Sequence, residues 1–215
     1  MAPNPKVSVA ITTYNQESYI EEAITSALSQ DTGFGIEVVA SDDASGDRTP
    51  EILDELAARH PDRLRVTHNA TRLGANRNFV ETLARCEGDY IALLDGDDYW
   101  LRPDKLRLQA EHLDHHPGCA VTFHPVQVVH DGGRPRTWTP PGGRRTYDLD
   151  DLLGGNFVAN CSVMVRNHGR PEFPAWFDES AGMPGDWTFL CLQARNGSLD
   201  CLPDTMAAYR VHDQG

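Results

Sequence analysis

Tyr90-Ile91-Ala92-Leu93-Leu94-Asp95-Gly96-Asp97-Asp98 is an apolar run that ends abruptly in closely spaced aspartates. A run this short and this apolar reads as a β-strand buried on both faces. Such strands belong to parallel sheets covered by helices. The carboxylates then lie past the strand's C-terminal end, at the rim where open α/β sheets bind ligands. Like charges this close repel unless a cation lies among them. Hard carboxylate oxygens suit magnesium or manganese, which also bridge to diphosphate oxygens.

The same alternation extends outward on both sides. Val7 to Thr13 and Ile36 to Ala40 read as buried strands, and Leu64 to Thr67 as a short one. The second strand also runs into acid, Ser41-Asp42-Asp43. Ser18 to Gln30 has helical spacing, with Ile20, Ile24, Ala27 and Leu28 on one side. Thr49-Pro50 opens a helix to about Arg59. Asn76 to Cys86 and Arg102 to His115 read as further helices, the last stopped by Pro117-Gly118. This βαβα order predicts an α/β fold with a mostly parallel central sheet flanked by helices.

Beyond residue 118 the pattern loosens. Ala120 to Val129, Cys161 to Val165 and Met206 to Val211 read as strands; Asp148 to Leu153 and Asp186 to Arg195 read as helices. Asp131 to Arg145, rich in Gly, Pro and Arg, reads as a loop or loose hairpin. No linker is evident, so 1–215 is expected to be a single domain, with a nucleotide-binding half over about 1–117 and a substrate-shaping half over about 118–215.

Composition narrows the function. The formal net charge of −13 argues against nucleic acid, whose binding rests on Lys and Arg neutralising phosphates. It does not argue against a phosphate ligand brought in with a metal. No apolar run approaches the ~20 residues of a membrane span, and the first residues lack a signal-peptide core. The expected location is therefore the cytoplasm. Cys86, Cys119, Cys161, Cys191 and Cys201 are widely spaced with no C-x-x-C pair, which predicts reduced thiols and no structural zinc site.

Several segments together resemble the family 2 glycosyltransferases, a group of inverting enzymes with the GT-A fold. They are Val7 to Asn15, Val38 to Asp47, the Asn69, Gly74 and Arg77-Asn78 pattern, and Gly88 to Asp98. Gly185-Asp186-Trp187 and Tyr209-Arg210-Val211-His212 extend the resemblance more loosely. The resemblance implies a glycosyltransferase taking a nucleotide-sugar donor, most commonly a UDP-sugar, to an acceptor it does not identify. Thr13 and Tyr14 would then line the base pocket and Asp42 would hydrogen-bond the base. Arg77 would stand near the diphosphate, and Asp95 near the ribose or the metal shell. Asp97 would be the principal metal ligand, with His212 near the diphosphate as a second, and Asp186 would be the general base. A manganese or magnesium ion is the implied cofactor.

The residues leave other readings open. Asp186 before Trp187 also reads as a helix N-cap, and Gly185 stands where the family often has a second acid. A sugar-phosphate nucleotidyltransferase would need a Gly-rich loop after the first strand, where Thr12-Thr13-Tyr14-Asn15-Gln16 lacks glycine. A nucleotide-sugar phosphohydrolase would share the acidic cluster but release only free sugar. A non-catalytic nucleotide-sugar-binding module would have no use for both Asp97 and Asp186. His112 and His116 have the i, i+4 spacing of a metal pair, but the favoured reading is a solvated helix face. Trp187 is the best placed sugar-stacking candidate, against core packing as the default.

Overall fold

The computed structural model describes residues 4–130, 133–174, 177 and 185–212. The first half runs β1 (Val7–Thr13), α1 (Ile20–Leu28), β2 (Ile36–Asp42), α2 (Thr49–Arg59), β3 (Leu64–His68), α3 (Ala75–Leu83), β4 (Tyr90–Asp95), β5 (Tyr99–Trp100) and α4 (Lys105–His115). The second half adds β6 (Cys119–Phe123), β7 (Val126–His130), β8 (Arg136–Trp138), β9 (Thr146–Tyr147), α5 (Leu149–Leu153), β10 (Met164–Arg166), α6 (Gly185–Ala194), β11 (Ser198–Cys201) and β12 (Ala207–Val211).

Among the described residues, one sheet of eight strands has the order β3-β2-β1-β4-β10-β6-β11-β9, and a sheet of four has the order β5-β12-β7-β8. In the large sheet β3, β2, β1 and β4 are mutually parallel, while β10 runs antiparallel between β4 and β6. Alternation along each strand sends side chains to two cores. Val9, Ile11, Val38, Ala92 and Leu94 pack under α1, α2 and α4. Ala10, Val39, Ile91 and Leu93 pack on the other face with α3 and α6. This two-sided burial is why the strands read as continuous apolar runs.

The first half follows the sequence reading closely, and the second half departs from it. Ala120 to Val129 is not one strand. It breaks at His124-Pro125, and the two pieces, β6 and β7, join different sheets. Proline cannot donate to a ladder, so the chain changes sheets there. Cys161 and Ser162 lie in a 3-10 turn, Asn160–Ser162, ahead of β10. The Gly- and Pro-rich stretch is not wholly loop, since it contributes β8. The short strands β5, β9 and β11 are too brief for periodicity to reveal.

Candidate active site

β1, β2 and β4 run in parallel and end side by side, so Thr13, Asp42 and Asp95 finish at one rim. A cleft of about 330 Å3 opens there, lined by Thr12, Thr13, Tyr14, Gln16, Asp43, Arg72, Asn78, Asp95, Asp97 and Tyr209 to His212. Asp97 and His212, 115 positions apart, both line this cleft.

At one end of the cleft, the structure separates the two aspartates after β2. Asp42 does not line the cleft. Its carboxylate accepts from the backbone amide of Ser45 at 3.3 Å and from the Ser45 hydroxyl, and lies 3.6 Å from His68 Nδ1. Asp43, the next residue, lines the cleft. One of its oxygens accepts from Asn69 Nδ2 at 3.1 Å and the Leu73 amide at 2.7 Å, and the other from the Gly74 amide at 2.9 Å. The turn between them and Ser45 is tight, with Ala44 in the left-handed region at φ 57°. Such strain in a residue other than glycine persists only where the surroundings impose it. Here the Gly46 amide bonds Asn15 Oδ1 and the Asn15 amide bonds Ser45 Oγ.

The arginine at this end also differs from the expectation. Arg77 is exposed on α3 and is not among the residues lining the cleft. Arg72 is, and its guanidinium lies 4.0 Å from the centre of the Tyr14 ring, a cation–π pair. The helical spacing puts Asn78, one residue beyond Arg77, on the inner face of α3. There Asn78 Nδ2 donates to the Ser41 carbonyl, and Asn78 Oδ1 accepts from Ser41 Oγ and Asn69 Nδ2.

The acidic motif occupies the opposite wall. His212 Nε2 lies 3.0 Å from Asp97 Oδ2, and the His212 ring stacks on Tyr19 with centroids 4.7 Å apart. Arg210 fastens this strand end. Its amide donates to Asp98 Oδ1 at 2.8 Å, and its guanidinium donates to the Asp97 carbonyl and pairs with Glu22 at 2.6 Å. The same guanidinium lies between the rings of Tyr19 and Tyr99, at 4.8 and 4.7 Å. Asp95 is held differently, with both oxygens 2.9 Å from Asn160 Nδ2. An imidazole nitrogen and a carboxylate oxygen side by side at the wall of an open cleft suit a divalent cation that keeps its other positions for phosphate and water. Asp97 and His212 would hold it, with Asp95 oriented beside them by Asn160.

The crowding has an electrostatic signature. Desolvation, then the neighbouring charges of Asp97 and Asp186, push the Asp95 carboxyl up to about 7, against the opposing Asn160 bond. Asp186 is not among the residues lining the cleft, and its charge is the smallest of these influences on Asp95. It sits in the first turn of α6, and burial pushes its own carboxyl above the usual range against hydrogen bonds from the Trp187 amide and its own. Buried Asp98 is pushed well above it by desolvation and by Asp95, against the hydrogen bond from the Arg210 amide.

Other candidates fall outside the cleft. Trp187 donates from Nε1 to the Leu152 carbonyl at 3.0 Å, which ties α6 to α5, so packing and not sugar stacking accounts for it. Trp100 is buried and donates to the Cys161 carbonyl. Trp176 lies outside the described residues. Arg144 pairs with Asp151. The five cysteines are free thiols. No described helix is long and apolar enough to cross a membrane. Asn160 escaped sequence reasoning because it adjoins no motif; the Asn69-to-Gly74 segment was visible, but its closure on Asp43 and the turn of Arg72 toward the cleft were not.

Comparison with known proteins gives concordant results. The model of the family described as glycosyl transferase family 2 matches residues 8–212. An uncharacterised Mycobacterium tuberculosis protein is 41% identical over 211 residues, which is 97% of this chain and 60% of the relative. The chain thus spans about three fifths of that relative's length. S. aureus TarS, solved with UDP-GlcNAc, superposes with a TM-score of 0.71 at 22% identity, covering 97% of this chain and 59% of that one. A Pyrobaculum calidifontis mannosyltransferase, solved with GDP-Man and Mn2+, gives 0.68 at 20% identity, covering 100% of this chain and 59% of that one. These two share the fold.

Proposed function

The chain belongs to glycosyl transferase family 2 and has its GT-A fold, and on that premise we propose that it transfers a sugar, with inversion, from a nucleoside-diphosphate sugar to a nucleophilic acceptor. The observation that carries this reading is the meeting of Asp97 and His212 in one cleft that Tyr14, Asp43 and Arg72 also line. Tyr14 and Thr13 flank the nucleobase, and Asp43 replaces Asp42 as the acid facing it. Arg72 and Asp95 border the path from base to diphosphate. Asp97 and His212 would hold a manganese or magnesium ion, which would supply charge stabilisation to a departing nucleoside diphosphate. Asp186 takes the acceptor's proton as its oxygen or nitrogen attacks the anomeric carbon from the face opposite the leaving group. Its half-buried position in the first turn of α6 holds the carboxylate in place for this role.

A UDP-sugar is the preferred donor, supported by TarS in complex with UDP-GlcNAc; the mannosyltransferase with GDP-Man makes GDP the competitor to test. The buried free thiols support a reducing, cytoplasmic setting. Calorimetric titration of UDP, GDP and dTDP, each with and without manganese, tests the reading. The expected result is metal-dependent binding of one nucleotide by the wild type, lost in Asp97→Asn. Equal affinity with and without metal in both proteins would overturn the metal assignment.

A further inference from the structure

We propose that His112, Cys119 and Asp200 form a second metal site, for a zinc-type transition-metal ion, at the end of the large sheet opposite the cleft. The location follows from topology. β4 and β6 are both antiparallel to β10, so they run the same way. Asp95 closes β4 at the cleft end, and Cys119 opens β6 at the other. Asp200 lies on β11 beside β6, and His112 on the last turn of α4, which packs on β6.

The three side chains offer one ligand atom each, all within 4.8 Å of one another. His112 Nε2 is 2.8 Å from Asp200 Oδ2. Around tetrahedral zinc, bonds of about 2.0–2.3 Å place ligand atoms roughly 3.5 Å apart. Closing on an ion therefore requires only small side-chain shifts. The shell around them is already ordered. Ser198 Oγ donates to Asp200 Oδ1 at 3.0 Å, leaving Oδ2 toward the histidine. His116 stacks on His112 with centroids 4.0 Å apart, and its Nδ1 lies 2.8 Å from the His112 carbonyl. Such supporting contacts orient ligands before the metal arrives.

The donor set selects the ion. A thiolate, an imidazole and a carboxylate favour zinc over magnesium or calcium, which prefer oxygen alone. Thiolate and carboxylate together also balance a divalent charge. Cys119 is buried and burial pushes its thiol up to about 12, so the proton leaves to solvent as the metal–sulfur bond forms. The His112 side chain is 26% exposed, which gives the ion an approach and a fourth position for water. The competing account is a hydrogen bond between His112 and Asp200 that fastens α4 to β11 and binds nothing.

Cobalt(II) titration of chelator-treated protein separates the two, because cobalt on sulfur gives a near-ultraviolet thiolate charge-transfer band that an oxygen site lacks. The wild type should develop the band with about one equivalent of cobalt, and zinc should abolish it. Asp97→Asn should behave as wild type, which keeps this site distinct from the cleft whether or not the glycosyltransferase reading holds. Cys119→Ser should show no band, and His112→Gln should need at least ~10-fold more cobalt. Absence of the band in the wild type, or its persistence in Cys119→Ser, would overturn the proposal. Should Cys119→Ser fail to fold by circular dichroism, His112→Gln decides: unchanged cobalt affinity there would overturn the site.

Discussion

Asp42 and Asp43 are neighbours in the chain with opposite surroundings. Asp42 is turned into the loop it helps to close, and Asp43 faces the cleft. Asp43→Ala is expected to weaken nucleotide binding at least ~10-fold, about 1.4 kcal/mol, measured calorimetrically well below the melting temperature. Asp42→Ala should leave that affinity nearly unchanged and lower the melting temperature instead; a larger affinity loss in Asp42→Ala would reverse the assignment. Asp186→Asn should retain nucleotide affinity and lose turnover. Because a general base works deprotonated, kcat/KM should fall as pH drops through the Asp186 pKa, which burial raises above the ordinary carboxylate range. An acid limb that survives Asp186→Asn would belong to another group. At this scale, the sequence singles out Asp97, Asp186 and His212 because each stands in a motif of fixed order. Asp43 was hidden because strand direction at a turn, and not spacing, decides which of two adjacent acids lines the cleft.

The turn and strand that carry the acids are built with little slack. A Cβ on Gly96 would lie 2.3 Å from Gln16 Oε1 and 2.8 Å from Thr13 Cβ, so Gly96→Ala must push the motif away from β1. A cost of about 1–3 kcal/mol in stability is expected, together with weaker manganese-dependent binding; a variant equal to wild type in both would show that the turn yields freely. Arg210 is the fastening of β12, holding Tyr19, Tyr99, Glu22 and the motif backbone at once. Arg210→Ala is expected to weaken the metal-dependent part of nucleotide binding about 10-fold, since His212 two residues on loses its footing. The metal-independent part should remain. Long, two-sided strands and amphipathic helices declared themselves in the sequence. β5 and β9 did not, because a pair of residues has no period to read, and Ser198–Cys201 alternates over only four residues.

At the scale of the molecule, α4 carries a charged group into the core. Lys105 is fully buried, donates to Gln109 Oε1 at 2.7 Å and lies 4.1 Å from the Trp100 ring centre. Burial lowers its pKa from 10.5 to about 7. Between these values the unfolded chain binds the extra proton, so this group makes stability rise with pH and penalises the fold most below about 7. Melting curves of wild type and Lys105→Met should therefore diverge in the wild type's favour from pH 7 toward 10.5. A difference that stays constant with pH would mean that Lys105 does not titrate in that window. Apolar period and motif order are local properties, so the α/β class, the family and the strand–helix order of the first half apart from β5 are already present in the sequence. Tertiary structure alone decided that Ala120 to Val129 divides between two sheets, that Asp43 and Arg72 face the cleft, and that His112 meets Asp200. Each of these depends on which distant segment a side chain is packed against, and no spacing along the chain encodes that contact.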